Sequence, residues 1–264
     1  MNFELNYKNT TINYSVSGKG PAVVLLHGFL ENLTMWNAVS DTLSKQNKVI
    51  AIDLLGHGKS ENLGYIHTME TQAEMVKAVL NHLRLRKYIL VGHSMGGYIC
   101  LAFAELFPTT VKGLCLMNST AKPDSKEKKT NRDRAIEAVK KNHKMFIRMS
   151  IPNLFSENNR AAYKKEIDAV INEALSCSVQ GIVASLEGMK IRKNRLPLFK
   201  SSTFKKLMIV GKKDPVLDAE SLKSQLKNSD VNVVELPDGH MSYIENTTET
   251  IETLKQFIKS CNNR

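Results

Sequence analysis

The sequence predicts an α/β protein with a mostly parallel sheet covered by helices on both faces, and three observations carry that prediction. Apolar runs of strand length recur at Ala22 to Gly28, Lys48 to Leu54, Lys87 to His93, Val111 to Asn118, Lys206 to Gly211 and Val231 to Leu236. They are too continuously apolar to have one wet face, which is the pattern of strands buried on both sides. Helical patterns separate them, and strands alternating with crossover helices make a parallel sheet. Between Ser119 and Lys200 the alternation stops and helical periodicity takes over.

Taken in order, "FELNYKNTTINYSVSG" reads as an antiparallel hairpin turning near Lys8 to Thr10. Thr68 to Leu85 puts Met75, Val76, Val79, Leu80 and Leu83 on one helical face, Met95 to Phe107 is a helix stopped by Pro108, and Thr248 to Ser260 closes the chain. The interrupting block carries three apolar stripes: Ile136, Val139, His143 and Phe146; then Tyr163, Ile167, Val170, Ile171 and Ala174; then Val179, Ile182, Val183, Leu186 and Met189. The expected division is a core of residues 1–118 and 201–264 with a helical lid of residues 119–200 over the carboxyl ends of the strands, where open parallel sheets bind ligands.

Composition narrows the function. A chain of 264 residues with 42% hydrophobic content buries one sizeable core. "MNFELNYKNT" has neither the basic start nor the apolar stretch of a signal peptide, and no window reaches the length of a membrane span. The expectation is a soluble, cytoplasmic protein with no membrane partner. Cys100, Cys115, Cys177 and Cys261 show no paired spacing and read as reduced core residues. The net charge of +11 is regional, since Ser119 to Lys200 holds 18 of the 37 basic residues but 9 of the 26 acidic ones. No nucleic-acid motif or interleaved aromatics accompany it, so nucleic acid is not an expected partner. His67, His82 and His143 lack ligand-spaced companions, and no metal site is expected.

The chemistry lies in "VGHSMGGY", Val91 to Tyr98. A strand ending at His93, a turn flanked by Gly92 and Gly96, and a helix from Met95 would hold the Ser94 hydroxyl proud of the sheet. The Met95 N–H would then aim at a developing oxyanion. A serine hydroxyl is a weak nucleophile and needs a base. "PDGHMSYIEN" places His240 after the last strand, and "KKDPVLD" places Asp214 after the strand before it. Asp238 is the competing acid, but a residue two positions from the histidine mostly shapes the turn.

These motifs, with "LLHGF" at Leu25 to Phe29 and "DLLGHGKS" at Asp53 to Ser60, resemble the α/β-hydrolase superfamily over essentially the whole chain. The resemblance implies an eight-stranded sheet with a helical cap after the sixth strand, Phe29 N–H as the second oxyanion donor, and a structural role for the loop holding His57. His27 and His93 are expected to pack and hydrogen-bond beneath the site. The segment "EGMKIRKNRLPLF", Glu187 to Phe199, is similar to that before the seventh strand in small esterases and enol-lactonases. The expected activity is a cofactor-free serine hydrolase acting on a small-molecule ester, lactone or thioester through Ser94, His240 and Asp214. A ligand-binding signalling protein and a cofactor-free C–C hydrolase or lyase are the alternatives within the same fold. If Arg192, Lys193 and Arg195 face the cleft, anionic substrates would be favoured.

Overall fold

The computed structural model describes residues 1–263. β1 (Asn2–Tyr7) and β2 (Thr10–Ser17) form the hairpin, turning at Lys8 and Asn9 with φ of 52° and 60°. β3 (Ala22–Leu26), β4 (Lys48–Ile52), β5 (Tyr88–His93), β6 (Val111–Met117), β7 (Lys205–Gly211) and β8 (Asn232–Leu236) complete an eight-stranded sheet of order β1-β2-β4-β3-β5-β6-β7-β8. The hairpin joins β4 antiparallel, and every pair from β4 to β8 is parallel. β3 and β5 are buried along their whole length, as their continuous apolar runs require.

Between the strands lie α1 (Asn37–Leu43), α2 (Met69–His82) and α3 (Met95–Leu106). A helical cap follows the sixth strand: α4 (Lys126–Ser150), α5 (Lys164–Ala174), α6 (Val179–Lys190) and α7 (Leu196–Ser201). The core resumes with β7, then α8 (Ala219–Gln225), β8, α9 (Ser242–Glu245) and α10 (Thr247–Asn262). α2 packs on α3 and α1 on α10. On β6, Gly113 lies under Phe257 and Cys261 of α10, whereas Leu116 meets α3 at Gly97. Residues three apart on a strand point to opposite sides, so the two helix pairs cover opposite faces.

The cap departs from its sequence pattern in two places. α4 buries Ile136, Val139 and Ile147, while Phe146 is only half-buried. The period shifts because Asn142 leaves helical geometry at φ −161° and ψ 87°, and its Oδ1 accepts the Met145 N–H at 3.0 Å. Asn142 thereby caps a second helical segment. Val179 sits at the first turn of α6, just after the Ser178 cap, and faces solvent rather than joining its stripe. All four cysteines are free and buried. No single helix among the described residues is long and apolar enough to cross a membrane.

Candidate active site

β5 ends at His93 and α3 begins at Met95, so the chain reverses on Ser94 alone, at φ 48° and ψ −112°. A non-glycine residue there stores strain of about 1–3 kcal/mol and persists only when its surroundings impose it. The imposition is visible: Ser94 N–H donates to Met117 O at 2.9 Å, and the Ser119 hydroxyl donates to Ser94 O at 2.7 Å. A Cβ on Gly96 would lie 2.2 Å from Leu26 O, and one on Gly92 would lie 2.4 Å from the Gly96 carbonyl carbon. The two glycines let β5, α3 and the end of β3 meet at the elbow.

Loops from three other strands converge on that hydroxyl. His240 Nε2 lies 2.9 Å from Ser94 Oγ, and His240 Nδ1 lies 2.8 Å from Asp214 Oδ2. With the ring proton on Nδ1, the imidazole donates to the carboxylate and accepts from the serine. Asp214 Oδ1 also accepts the Val216 and Leu217 N–H groups at 2.8 and 3.0 Å, and Asn118 Nδ2 donates to Oδ2 at 3.2 Å. Burial alone would raise this carboxyl, but the His240 ring and these donors outweigh it and hold Asp214 below the usual carboxylate range. Asp238 points elsewhere, accepting from Asn246 Nδ2 at 2.9 Å and pairing with Lys213. Among the described residues, the N–H groups of Phe29 and Met95 donate to no other group.

Beneath the site lies a buried ionic network whose carboxylate, Glu31, the sequence reading missed. Glu31 Oε2 accepts from Gly28 N–H at 2.6 Å and from His93 Nδ1 at 2.8 Å, and Tyr243 OH donates to Oε1 at 3.2 Å. His93 Nε2 reaches the carbonyl of His240 at 2.9 Å. Both ring nitrogens of His93 face acceptors, so both must donate and the ring is an imidazolium. Burial pushes the His93 pKa down, but Glu31 overcomes it and the pKa is raised. Glu31 is correspondingly lowered despite its burial. One ion pair thus ties the loop of Phe29, the elbow and the loop of His240 together.

The other motif histidines are structural in geometry. His27 Nδ1 donates to Gly28 O at 2.7 Å and Nε2 accepts the Leu54 N–H at 2.9 Å. Burial takes His57 down to about 3 and His67 to about 4, so both are neutral. In the same loop, Asp53 accepts from Leu33 N–H, Asn13 Nδ2 and Lys59 N–H at 2.7 to 2.9 Å, which pins the turn.

Ser94 and His240 open on a cavity of about 140 Å³ with mainly apolar walls, including Phe29, Leu30, Tyr98, Met189 and Val216. A wider groove of about 570 Å³ between α1 and α10 is lined by no serine, cysteine or histidine. The cationic residues expected at the cleft are placed differently. Arg195 Nη2 holds Glu70 at 2.6 Å and Glu105 at 2.7 Å, and Lys193 pairs with Glu70 at 3.4 Å. Arg192 binds Asp124 at 2.6 Å and stacks 4.1 Å over the Tyr98 ring. These side chains fasten cap to core, because a buried guanidinium must be paired. Besides the His93 imidazolium, which is committed to Glu31 and the His240 carbonyl, the cation that lines the cavity is Arg132 of α4. Its sequence neighbourhood, "KEKKTNRDR", offers no sign of which basic residue turns inward.

Comparison with known proteins agrees with the architecture. A family model described as alpha/beta hydrolase fold matches residues 21–247. A malate-bound thermophilic esterase from Thermogutta terrifontis superposes with a TM-score of 0.93 at 28% identity, covering 100% of both chains. An enol-lactonase from Burkholderia xenovorans LB400 has the same fold, with a TM-score of 0.89 at 22% identity over 97% of this chain and 99% of its own. An uncharacterized protein of Mycobacterium tuberculosis is 37% identical over 106 residues, 40% of this chain and 31% of that one. A putative 2-succinyl-6-hydroxy-2,4-cyclohexadiene-1-carboxylate synthase of Bacillus subtilis is 33% identical over 115 residues, 41% of this chain and 42% of that one. The chain thus spans less than half the length of these curated relatives. With the family model running from strand β3 through the loop of His240, the chain belongs to the α/β hydrolase fold family.

Proposed function

We propose that the protein is a serine hydrolase of small-molecule carboxylic esters, lactones or thioesters. The observation that carries this reading is the unbroken relay from Asp214 through His240 to Ser94, with contacts of 2.8 and 2.9 Å. Similarity to an esterase that matches along its full length points the same way.

In this reading His240 Nε2 takes the Ser94 proton as Oγ attacks the carbonyl carbon, and Asp214 holds the tautomer and stabilises the imidazolium. The carbonyl oxygen, now negative, settles against the Phe29 and Met95 N–H groups, where one such donor is worth about 2.7–4 kcal/mol of barrier. Collapse expels the leaving group, which takes the proton from His240. Water then attacks the acyl-enzyme, giving its proton to His240, and Ser94 leaves with that proton as the acid product forms. Each turnover consumes one water, whose proton replaces the one that left with the leaving group, and restores Ser94 and His240.

A fluorophosphonate probe tests the reading together with a panel of short-chain esters and lactones. Wild type should be labelled once per chain, at Ser94, and turn over the panel repeatedly. Ser94→Ala should fold, resist labelling and lose turnover down to the residue that oxyanion donors alone support, about 10³–10⁴ over water. Full activity in Ser94→Ala would defeat it.

A further inference from the structure

The cavity beside Ser94 contains one cation with unused bonding capacity. Asp124, at the start of the cap, has a fully buried carboxylate that receives two guanidiniums, those of Arg132 and Arg192. Arg192 alone neutralises it. That residue is also directed away from the cavity, which it does not line: its Nε donates to Lys122 O at 3.2 Å, its Nη1 to Met189 O at 3.0 Å, and its plane lies on Tyr98. Arg132 is different. It grips Asp124 along one edge, through Nε and Nη2, while its Nη1 has no partner among the described residues. Its side chain remains 18% exposed, against 3% for Arg192, and it lines the cavity with Ser94 and His240.

The neighbouring charges leave this one unspent. Glu31 lines the same cavity but is committed to His93, Gly28 N–H and Tyr243. Asp214 sits behind the His240 ring, on the far side from Ser94. The remaining walls are mainly apolar, so a charge there is weakly screened and its attraction is stronger than at the open surface. A planar guanidinium with one edge anchored presents its other edge in a fixed orientation, the geometry that suits a carboxylate.

We propose that Arg132 is an anion subsite, and that the substrates are small esters or lactones carrying a free carboxylate, which Arg132 holds while Ser94 attacks the ester carbonyl. A cavity of about 140 Å³ suits a short chain between the two groups. The proposal rests on the hydrolase reading for its turnover and on Arg132 alone for its binding.

Monomethyl succinate and methyl levulinate make the test, since an acetyl group in the second replaces the carboxylate of the first at nearly the same size. Wild type should prefer the succinate ester in kcat/KM. Arg132→Gln should reduce that preference about ten- to a hundredfold, the range for removing a charge-assisted hydrogen bond. Arg132→Lys should restore part of it, and Lys193→Gln, whose ammonium lies outside the cavity, should leave it unchanged. Calorimetric titration with succinate supplies a readout without turnover: wild type and Lys193→Gln should bind, and Arg132→Gln should bind at least about tenfold more weakly. A preference near one, or one indifferent to Arg132→Gln, overturns the subsite while leaving the hydrolase reading intact. Arg132-dependent succinate binding with neither ester cleaved keeps the subsite and refutes the hydrolase reading. Circular dichroism of each variant separates loss of fold from loss of the contact.

Discussion

At the scale of single residues, the two candidate acids differ by what they touch. Asp214 shares a 2.8 Å hydrogen bond with His240, whereas Asp238 spends its carboxylate on Asn246 and Lys213. Asp214→Asn should lower kcat by about 10⁴, because an amide donor favours the wrong imidazole tautomer. Asp238→Asn should cost far less, and steady-state kinetics of the two variants rank them; the reverse order would transfer the acid's role. Glu31 and His93 make a second prediction, through pH. Glu31 has a folded pKa below its usual 4.5, so its stabilising contribution is complete above 4.5 and is lost as pH falls through the lowered value. His93 has a folded pKa above 6.5, so its contribution is complete below 6.5 and is lost as pH rises through the raised value. The two overlap between 4.5 and 6.5. The stability difference between wild type and Glu31→Gln, from urea unfolding across pH, should be greatest in that window and shrink on both sides. A difference flat in pH would mean that the pair is not ionic.

The element that matters most is the crossover from β5 to α3. Gly96→Ala must push its methyl into Leu26 O, a backbone atom 2.2 Å away that cannot rotate aside. The expected cost is about 1–3 kcal/mol, as for overpacked cores, with a disproportionate loss of kcat because the Met95 N–H moves with the turn. Denaturation and kinetics on the same sample check both. The sequence displays this element because its constraints are local: an apolar run, a glycine on each side of a serine, then an apolar helix buried from Met95 to Ala104. Ser94, His240 and Asp214 stand at strand ends for the same reason, and the apolar runs locate the strands to within a residue or two. α1 is less legible, since "NAVSDTL" buries only Val39 and Leu43 and has no side-chain cap. The bend of α4 turns on Asn142, which leaves helical geometry and caps the segment after it, and one asparagine inside a helical pattern does not announce that. Sheet order is likewise absent from the pattern. Glu31 and Arg132 escaped notice because their roles depend on partners 62 and 8 positions away, and nothing local distinguishes Arg132 from the basic residues around it.

For the whole molecule, the question is whether cap and core are one cooperative unit. We propose that residues 119–200 act as a cap, and their attachments are specific. His67 N–H, in the core loop before α2, donates to Ala184 O of α6 at 2.9 Å. A Cβ on Gly188 would lie 1.8 Å from His67 O, so α6 packs backbone to backbone on that loop. On another side, Arg195 bridges the start of α7 to Glu70 of α2 and Glu105 of α3. Seams that bury backbone and ion pairs transmit unfolding from one layer to the next, because opening either strands polar groups in the other. Trp36, fully buried in the core and the only tryptophan, reports the core alone, while far-UV ellipticity also registers the cap helices α4 to α7. The two signals should therefore trace one coincident urea transition in wild type. Gly188→Leu removes the close approach and forces α6 off its loop. In that variant ellipticity should begin to fall at lower urea than Trp36 fluorescence, and ester turnover should fail with the earlier transition, because α6 carries Met189 of the cavity wall and His240 N–H is held by Leu154 O of the cap. Coincident transitions in Gly188→Leu, or separated ones in wild type, would place the cap's stability elsewhere than in this seam.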